Sequence, residues 1–259
     1  MEFELSGTTA VVTGASRGIG LAVTQALAAE GVNVAAAARN TGEELLAATP
    51  LTTKVDLASA EGPSQLMAWA QEELGGIDLL VNNVGASPAR PGGFLSTSEE
   101  DWQHTFDLNF FSAVRSTRSA LPSLLERSGT VINIGSVNSR LALPRLVDYA
   151  AAKAALANFG KALAEEFGAQ GVRVNTISPG PTRTSTWTAE EGMGGDMARE
   201  AGLSMDEFVS QVPTATGLST GSFTEPEEVA SLVVLLASGK LPNMNGSDLV
   251  IDGGMLKQI

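Results

Sequence analysis

The chain predicts an α/β fold in which a doubly wound parallel sheet of about seven strands carries helices on both faces. Three features of the sequence carry that expectation. Short apolar runs alternate with stretches of helical periodicity through the first half. A glycine-rich turn lies between the first apolar run and the first helical stretch. No repeat, low-complexity tract or Pro/Ser linker divides the 259 residues, so one domain is expected over 1–259.

The strands are expected at 9–13, 32–37, 53–55, 77–81, 130–134, 172–177 and 248–251, because each apolar run is too short for a helix and is bounded by turn residues. Between them, 18–30 and 61–74 place apolar residues at helical spacing. A long helix follows over 98–126, with Ser98 and Asp101 set as a capping box. The Ala- and Leu-rich stretch 149–167 reads as another. Residues 185–223 break the rhythm with six glycines around one amphipathic piece, 205–212. An interruption of this length reads as a substrate lid whose glycines let it move, or as a mobile surface insertion.

Composition narrows the function. With no cysteine, disulfides and thiolate metal sites are excluded, and no metal-ligand cluster stands out. A formal charge of −13 disfavours nucleic acid and anionic lipid as partners. No apolar segment approaches the length of a membrane span. The first residues carry two acids and no basic region of a signal peptide, so a cytoplasmic protein is expected.

The turn after the first strand reads Thr13-Gly14-Ala15-Ser16-Arg17-Gly18-Ile19-Gly20. Gly14 permits a tight exit from the strand, Gly18 a close approach of backbone to a pyrophosphate, and Gly20 close packing of helix on sheet. The helix N-terminus then faces the phosphates. The second strand runs into Ala38-Arg39, where an acid would be expected for a ribose 2′-hydroxyl. Arg39 and Arg17 instead form a cationic clamp suited to a 2′-phosphate, so NADP(H) is the expected cofactor. A solvated loop charge at Arg39 is the simpler alternative.

Tyr149 and Lys153 lie four apart on the predicted helix and project from one face. An ammonium beside the phenol favours its ionised form and so lowers a pKa of about 10. Such a phenol exchanges a proton with a carbonyl or alcohol oxygen. Ser136 lies thirteen residues upstream.

With the glycine turn, these residues make the chain similar to the short-chain dehydrogenase/reductase family over essentially its whole length. Asp56, Asn82-Asn83-Val84-Gly85, Asn109, Ser136, Tyr149-x-x-x-Lys153 and Pro179-Gly180 followed by Thr184 arrive in the family's order. The resemblance implies a Rossmann-type fold and hydride transfer between nicotinamide and a ketone or secondary alcohol. It makes Tyr149 the general acid/base and Lys153 its activator and ribose anchor. Ser136 becomes a donor to the substrate oxygen, and Asn109 the holder of a relay water. Asp56, Asn83 and Gly85 fall to the adenosine side. Ser16, Ile19, Leu57, Val84, Pro179, Gly180, Thr182 and Thr184 complete the implied cofactor contacts.

Ser87, Phe94, Asn138, Leu143 and Trp187 are the implied substrate pocket, with a homotetramer or homodimer as the implied assembly. A 3-oxoacyl-[acyl-carrier-protein] reductase is the alternative, although an acidic carrier protein would meet a −13 partner without an evident basic run. A catalytically silent cofactor-sensing protein is disfavoured, because all four catalytic positions are intact. His104, the single histidine, and Glu165–Glu166 read as solvated helical faces, and Trp69 and Trp102 as packing residues.

Overall fold

A computed structural model describes residues 3–257; the domain expected over 1–259 extends two residues beyond that range at each end. Strands β1 (Thr9–Thr13), β2 (Asn33–Ala38), β3 (Thr52–Lys54), β4 (Leu79–Asn82), β5 (Thr130–Ile134), β6 (Arg173–Pro179) and β7 (Asp248–Ile251) form one sheet. Its order is β3-β2-β1-β4-β5-β6-β7, and every pair is parallel. The sheet is buried on both faces, which explains why its strands read as apolar runs rather than alternating patterns.

Alternation along β1 assigns the faces. Ala10 and Val12 pack into a core with α1 (Gly18–Ala29), α2 (Glu43–Ala48) and α10 (Pro226–Ala237). Val11 points the other way, into a core with α3 (Gly62–Leu74), α5 (Ser112–Arg127) and α6 (Val147–Phe167). Helices α2 and α10 lie outside the elements expected from sequence. The start of α10 carries two available signals, Pro226 in its first turn and Glu228 accepting from the Glu225 amide at 2.7 Å.

The helix expected over 98–126 is not continuous. It consists of α4 (Glu99–Phe106), a π turn Asp107–Phe111, and α5. In that turn the Ser112 amide reaches back five residues to the Asp107 carbonyl. One-turn π insertions of this kind concentrate at functional sites, and this one contains Asn109.

Residues 185–223 hold three helices where one was expected: α7 (Ser185–Thr188), α8 (Met193–Ala201) and α9 (Met205–Ala215). Ala198, Phe208, Val212 and Phe223 give them a small buried core of their own. Two of their glycines, Gly194 and Gly195, serve close packing. A Cβ on Gly195 would lie 1.8 Å from the Glu190 carbonyl oxygen, so only glycine lets α8 seat against the turn before it. Among the described residues, no helix is long and apolar enough to cross a membrane.

Candidate active site

In a parallel sheet wound both ways, a crevice opens where the strand order reverses, here beyond the C-terminal ends of β1 and β4. A cleft of about 650 Å³ occupies that place. It runs from the glycine turn and Arg39 past Asp56 and Asn83 to Ser136, Tyr149 and Trp187. Every residue expected to meet the cofactor, from Gly14 to Thr184, lines it. Ala38, Asn40, Gly42, Val55, Leu108 and Thr186 also line it and were not singled out from sequence, because isolated residues of these types carry no motif.

The glycine turn is shaped by steric need. Gly14 has φ +66°, and a Cβ on Gly20 would lie 2.3 Å from the Gly14 carbonyl oxygen. The turn is tied to the loop after β4 through Asn83, whose amide donates to the Thr13 and Gly14 carbonyls at 2.9 and 3.1 Å. The Asn83 side chain is thus committed to holding the loop rather than to a ligand. Helix α1 begins at Gly18 with no side-chain cap on its amides and no acidic residue in its first turn. That leaves an electropositive end directed to the cleft.

Arg17 and Arg39 are exposed at the rim of the same cleft. Among the described residues neither forms an ion pair, although most other arginines do. Two unneutralised guanidinium groups therefore face the space beside β2, where Ala38 brings no carboxylate.

At the other end, Tyr149 and Lys153 come from the first turns of α6, and Ser136 from the turn after β5. Ser136 is buried, and its hydroxyl donates to Asn138 Oδ1 at 3.3 Å on the cleft wall it shares with Tyr149. The expected lowering of the phenol by Lys153 is not what the protein alone provides. Burial raises the Tyr149 pKa above its ordinary value, and the neighbouring Ser136 hydroxyl offsets only part of this. Lys153 Nζ lies 5.9 Å from the phenol ring centroid and donates instead to the Ile134 carbonyl at 2.9 Å. Asn109 is buried behind the cleft wall rather than on it. Its amide donates to the Ala86 and Thr105 carbonyls, both at 3.0 Å, and its carbonyl accepts from the Ala86 amide at 3.1 Å. Both of its side-chain N–H groups are therefore spent on backbone. A Cβ on Gly85 would lie 2.8 Å from Asn109 Oδ1 and 3.3 Å from Lys153 Nζ, which accounts for glycine there.

Lys153 is almost wholly buried, and desolvation lowers its pKa to about 8 from 10.5. Below pH 8 native and unfolded chains both hold this proton, and the native state bears the full penalty. Between pH 8 and 10.5 only the unfolded chain holds it, so stability rises with pH across that window. Lys153→Met is accordingly expected to stabilise the protein by about 3 kcal/mol at pH 7. The gain should shrink towards zero near pH 10.5. Denaturant melts at the two pH values check this, and an equal effect at both would count against it.

The substrate end is only partly as expected. Ser87 and Trp187 line the cleft. Trp187 also packs on the small core of residues 185–223, with its ring 6.2 Å from Phe223, so it joins packing to pocket wall. Phe94, Asn138 and Leu143 are not brought to the cleft wall. Phe94 is 61% exposed on a single 3₁₀ turn, and Asn138 is held by Ser136 and by the Leu141 carbonyl. Helix α8 is tied to the stretch before α6 by Arg145, bonded to both Glu200 oxygens at 3.0 and 2.9 Å, and to the loop after β4 by Ser87 approaching Met193 Sδ at 3.8 Å. His104 and Glu165–Glu166 are exposed as expected, while Trp69 packs against the core and Trp102 lies near Phe106.

Comparison with known proteins places this cleft among relatives. The family model described as enoyl-(acyl carrier protein) reductase matches residues 14–256. A 3β-hydroxysteroid dehydrogenase from Eggerthella lenta is 33% identical, with 97% of this chain and 95% of the relative covered. A 3-oxoacyl-[acyl-carrier-protein] reductase from Vibrio cholerae is also 33% identical, over 97% and 98%. The solved structure of L-sorbose reductase from Gluconobacter frateurii, complexed with NADPH and L-sorbose, matches with a TM-score of 0.92 at 31% identity, covering 100% of both chains.

Proposed function

Because the chain belongs to the short-chain dehydrogenase/reductase family, an oxidoreductase family, we propose that it transfers a hydride between NADP(H) and a small ketone or secondary alcohol, with Tyr149 as the general acid/base. The observation that carries the reading is one cleft joining a glycine cradle to the Ser136–Tyr149–Lys153 cluster. The residues fit a dinucleotide. The uncapped start of α1 suits the pyrophosphate, Arg17 and Arg39 suit a 2′-phosphate, and Asp56 lies where the adenine would reach. When bound, the nicotinamide supplies or accepts the hydride.

The chain's own part is proton handling and orientation. Ser136 donates to the substrate oxygen as negative charge grows there. Tyr149 delivers the proton to that oxygen in reduction and removes it in oxidation. The phenol of the protein alone is held protonated by burial, which suits the donor role. For the removal step the phenolate needs a cation close to its oxygen, whereas Lys153 is bonded here to the Ile134 carbonyl. A small movement of Lys153 off the Ile134 carbonyl towards the ribose and the phenol meets that need.

The neighbouring L-sorbose reductase supports both the reductive direction and NADPH for this chain. Residues 185–223 act in this reading as a lid over the substrate. The deciding experiment is a panel of free ketones and polyols, with acetoacetyl thioesters beside them, assayed with NADPH and NADH. No oxidation of NADPH by any of them would sink the proposal. Thioesters preferred over every free carbonyl would favour the carrier-protein reading, which rests on the Vibrio cholerae relative.

We propose the homotetramer as part of the same reading. Phe106, Phe110, Phe111 and Phe159 are only partly buried along one face of α4, the π turn and α6, and such an apolar face favours helix pairing between copies. Light scattering after size exclusion is expected to show an oligomer, and a stable monomer would refute it.

A further inference from the structure

Asp148 immediately precedes Tyr149 and its carboxylate is completely buried. One oxygen, Oδ2, takes three donors: Arg90 Nε at 3.1 Å, the second Arg90 nitrogen at 2.8 Å, and Thr105 Oγ1 at 2.7 Å. Arg90 comes from the loop after β4 and also reaches Asp101 on α4 at 2.8 Å. Its backbone amide donates to the Arg145 carbonyl, at 3.0 Å, in the stretch leading into α6. Thr105 in turn offers its carbonyl to the Asn109 side chain. A chain of bonds therefore joins the residue next to Tyr149, the residue four before Asn109, and the loop that carries Gly85 to Ser87.

A buried carboxylate is tolerated only when paired and hydrogen-bonded. Nothing in the proton chemistry above uses Asp148, yet it lies at the start of the helix that bears Tyr149 and Lys153. We propose that Arg90, Asp148 and Thr105 form a positioning clamp that holds the Tyr149 end of α6 and the Asn109 turn in register with the loop after β4. The clamp rests on the reading of Tyr149 as acid/base, and it acts through position and charge rather than by touching substrate. The charged groups on elements packed about this end of α6 are Lys153 and Asp148 on α6 and Arg90 from the loop. Asp101 on α4, the Asp107–Arg115 pair across the π turn and the Arg145–Glu200 pair join them, and α4 adds the exposed Glu99, Glu100 and His104.

Tyr149 is the single tyrosine of the chain, so phenolate absorbance after a rapid pH jump reads this residue alone, with neither cofactor nor substrate. Arg90→Met leaves the Asp148 charge unpaired beside it and is expected to move the phenol midpoint up by about one pH unit. Arg90→Met/Asp148→Asn removes both charges and is expected to return it to within about 0.3 unit of wild type. In the ketone panel, Arg90→Met should lower kcat about tenfold with NADPH affinity changed less than about twofold, and Arg90→Lys should recover part of it. A midpoint at or below wild type in Arg90→Met, with far-UV circular dichroism unchanged, overturns the clamp. Should Arg90→Met fail to fold, Thr105→Val carries the test, with a rise of a few tenths of a unit expected and no rise overturning it. If wild type reduces no carbonyl while the titration behaves as stated, the proposed reaction falls and the clamp stands.

Discussion

Tyr149→Phe is expected to lower kcat for carbonyl reduction by about 10³-fold, within the range a positioned general acid contributes. The substitution removes one oxygen and keeps the ring, so the packing of α6 is conserved. Ser136 and Lys153 stay in place and still polarise a carbonyl, which is why some residual turnover is expected. Cofactor affinity should change little, because the glycine cradle and the two arginines lie at the far end of the cleft. Steady-state kinetics with NADPH, together with a binding titration followed by cofactor fluorescence, separate the two effects. Near-normal kcat in this variant would remove Tyr149 from the mechanism. A loss of NADPH binding equal to the loss of rate would show that the phenol holds the cofactor instead.

Arg39→Ala and Arg17→Ala are each expected to raise KM for NADPH about 10- to 100-fold, with KM for NADH nearly unchanged. Each guanidinium facing a dianionic 2′-phosphate contributes a charge-assisted hydrogen bond of about 1.5–3 kcal/mol. Both side chains are exposed at the cleft rim and unpaired among the described residues, so no internal carboxylate must be displaced on binding. Arg39→Asp goes further, since a carboxylate at the end of β2 repels the phosphate and accepts from a ribose 2′-hydroxyl. That variant should prefer NADH. Because both arginines are solvent-exposed, KM for NADPH should also rise with ionic strength. A wild type that favours NADH, or a KM for NADPH insensitive to both substitutions, would end the clamp idea.

Much of the site was legible because its residues are neighbours in the chain. The spacing of Gly14, Gly18 and Gly20 is set by one turn, and that of Tyr149 and Lys153 by one helical repeat. The burial of the strands was legible for the same reason, as runs without alternation. The limits of such reading show at particular residues. The π turn around Asn109 was invisible, since its residues suit an ordinary helix as well. Phe94 and Leu143 are placed in the pocket by the resemblance to the family, but the path of their loops takes them away from the cleft. The three helices of 185–223 are individually weak and hold through a shared core of Ala198, Phe208, Val212 and Phe223.

By itself the sequence determined the winding of the sheet, the glycine cradle, the absence of a carboxylate after β2, and the pairing of a phenol with an amine one turn away. These are local consequences of backbone sterics and helical pitch, and they hold wherever the segment is placed. Tertiary structure alone decided the electrostatic state of that pair. Burial raises the phenol, lowers the amine to about 8 and turns Lys153 towards the Ile134 carbonyl. It also decided that Arg90 meets Asp148 across 58 positions of chain. Desolvation and long-range ion pairing depend on what surrounds a group in space, and one-dimensional spacing carries no measure of either.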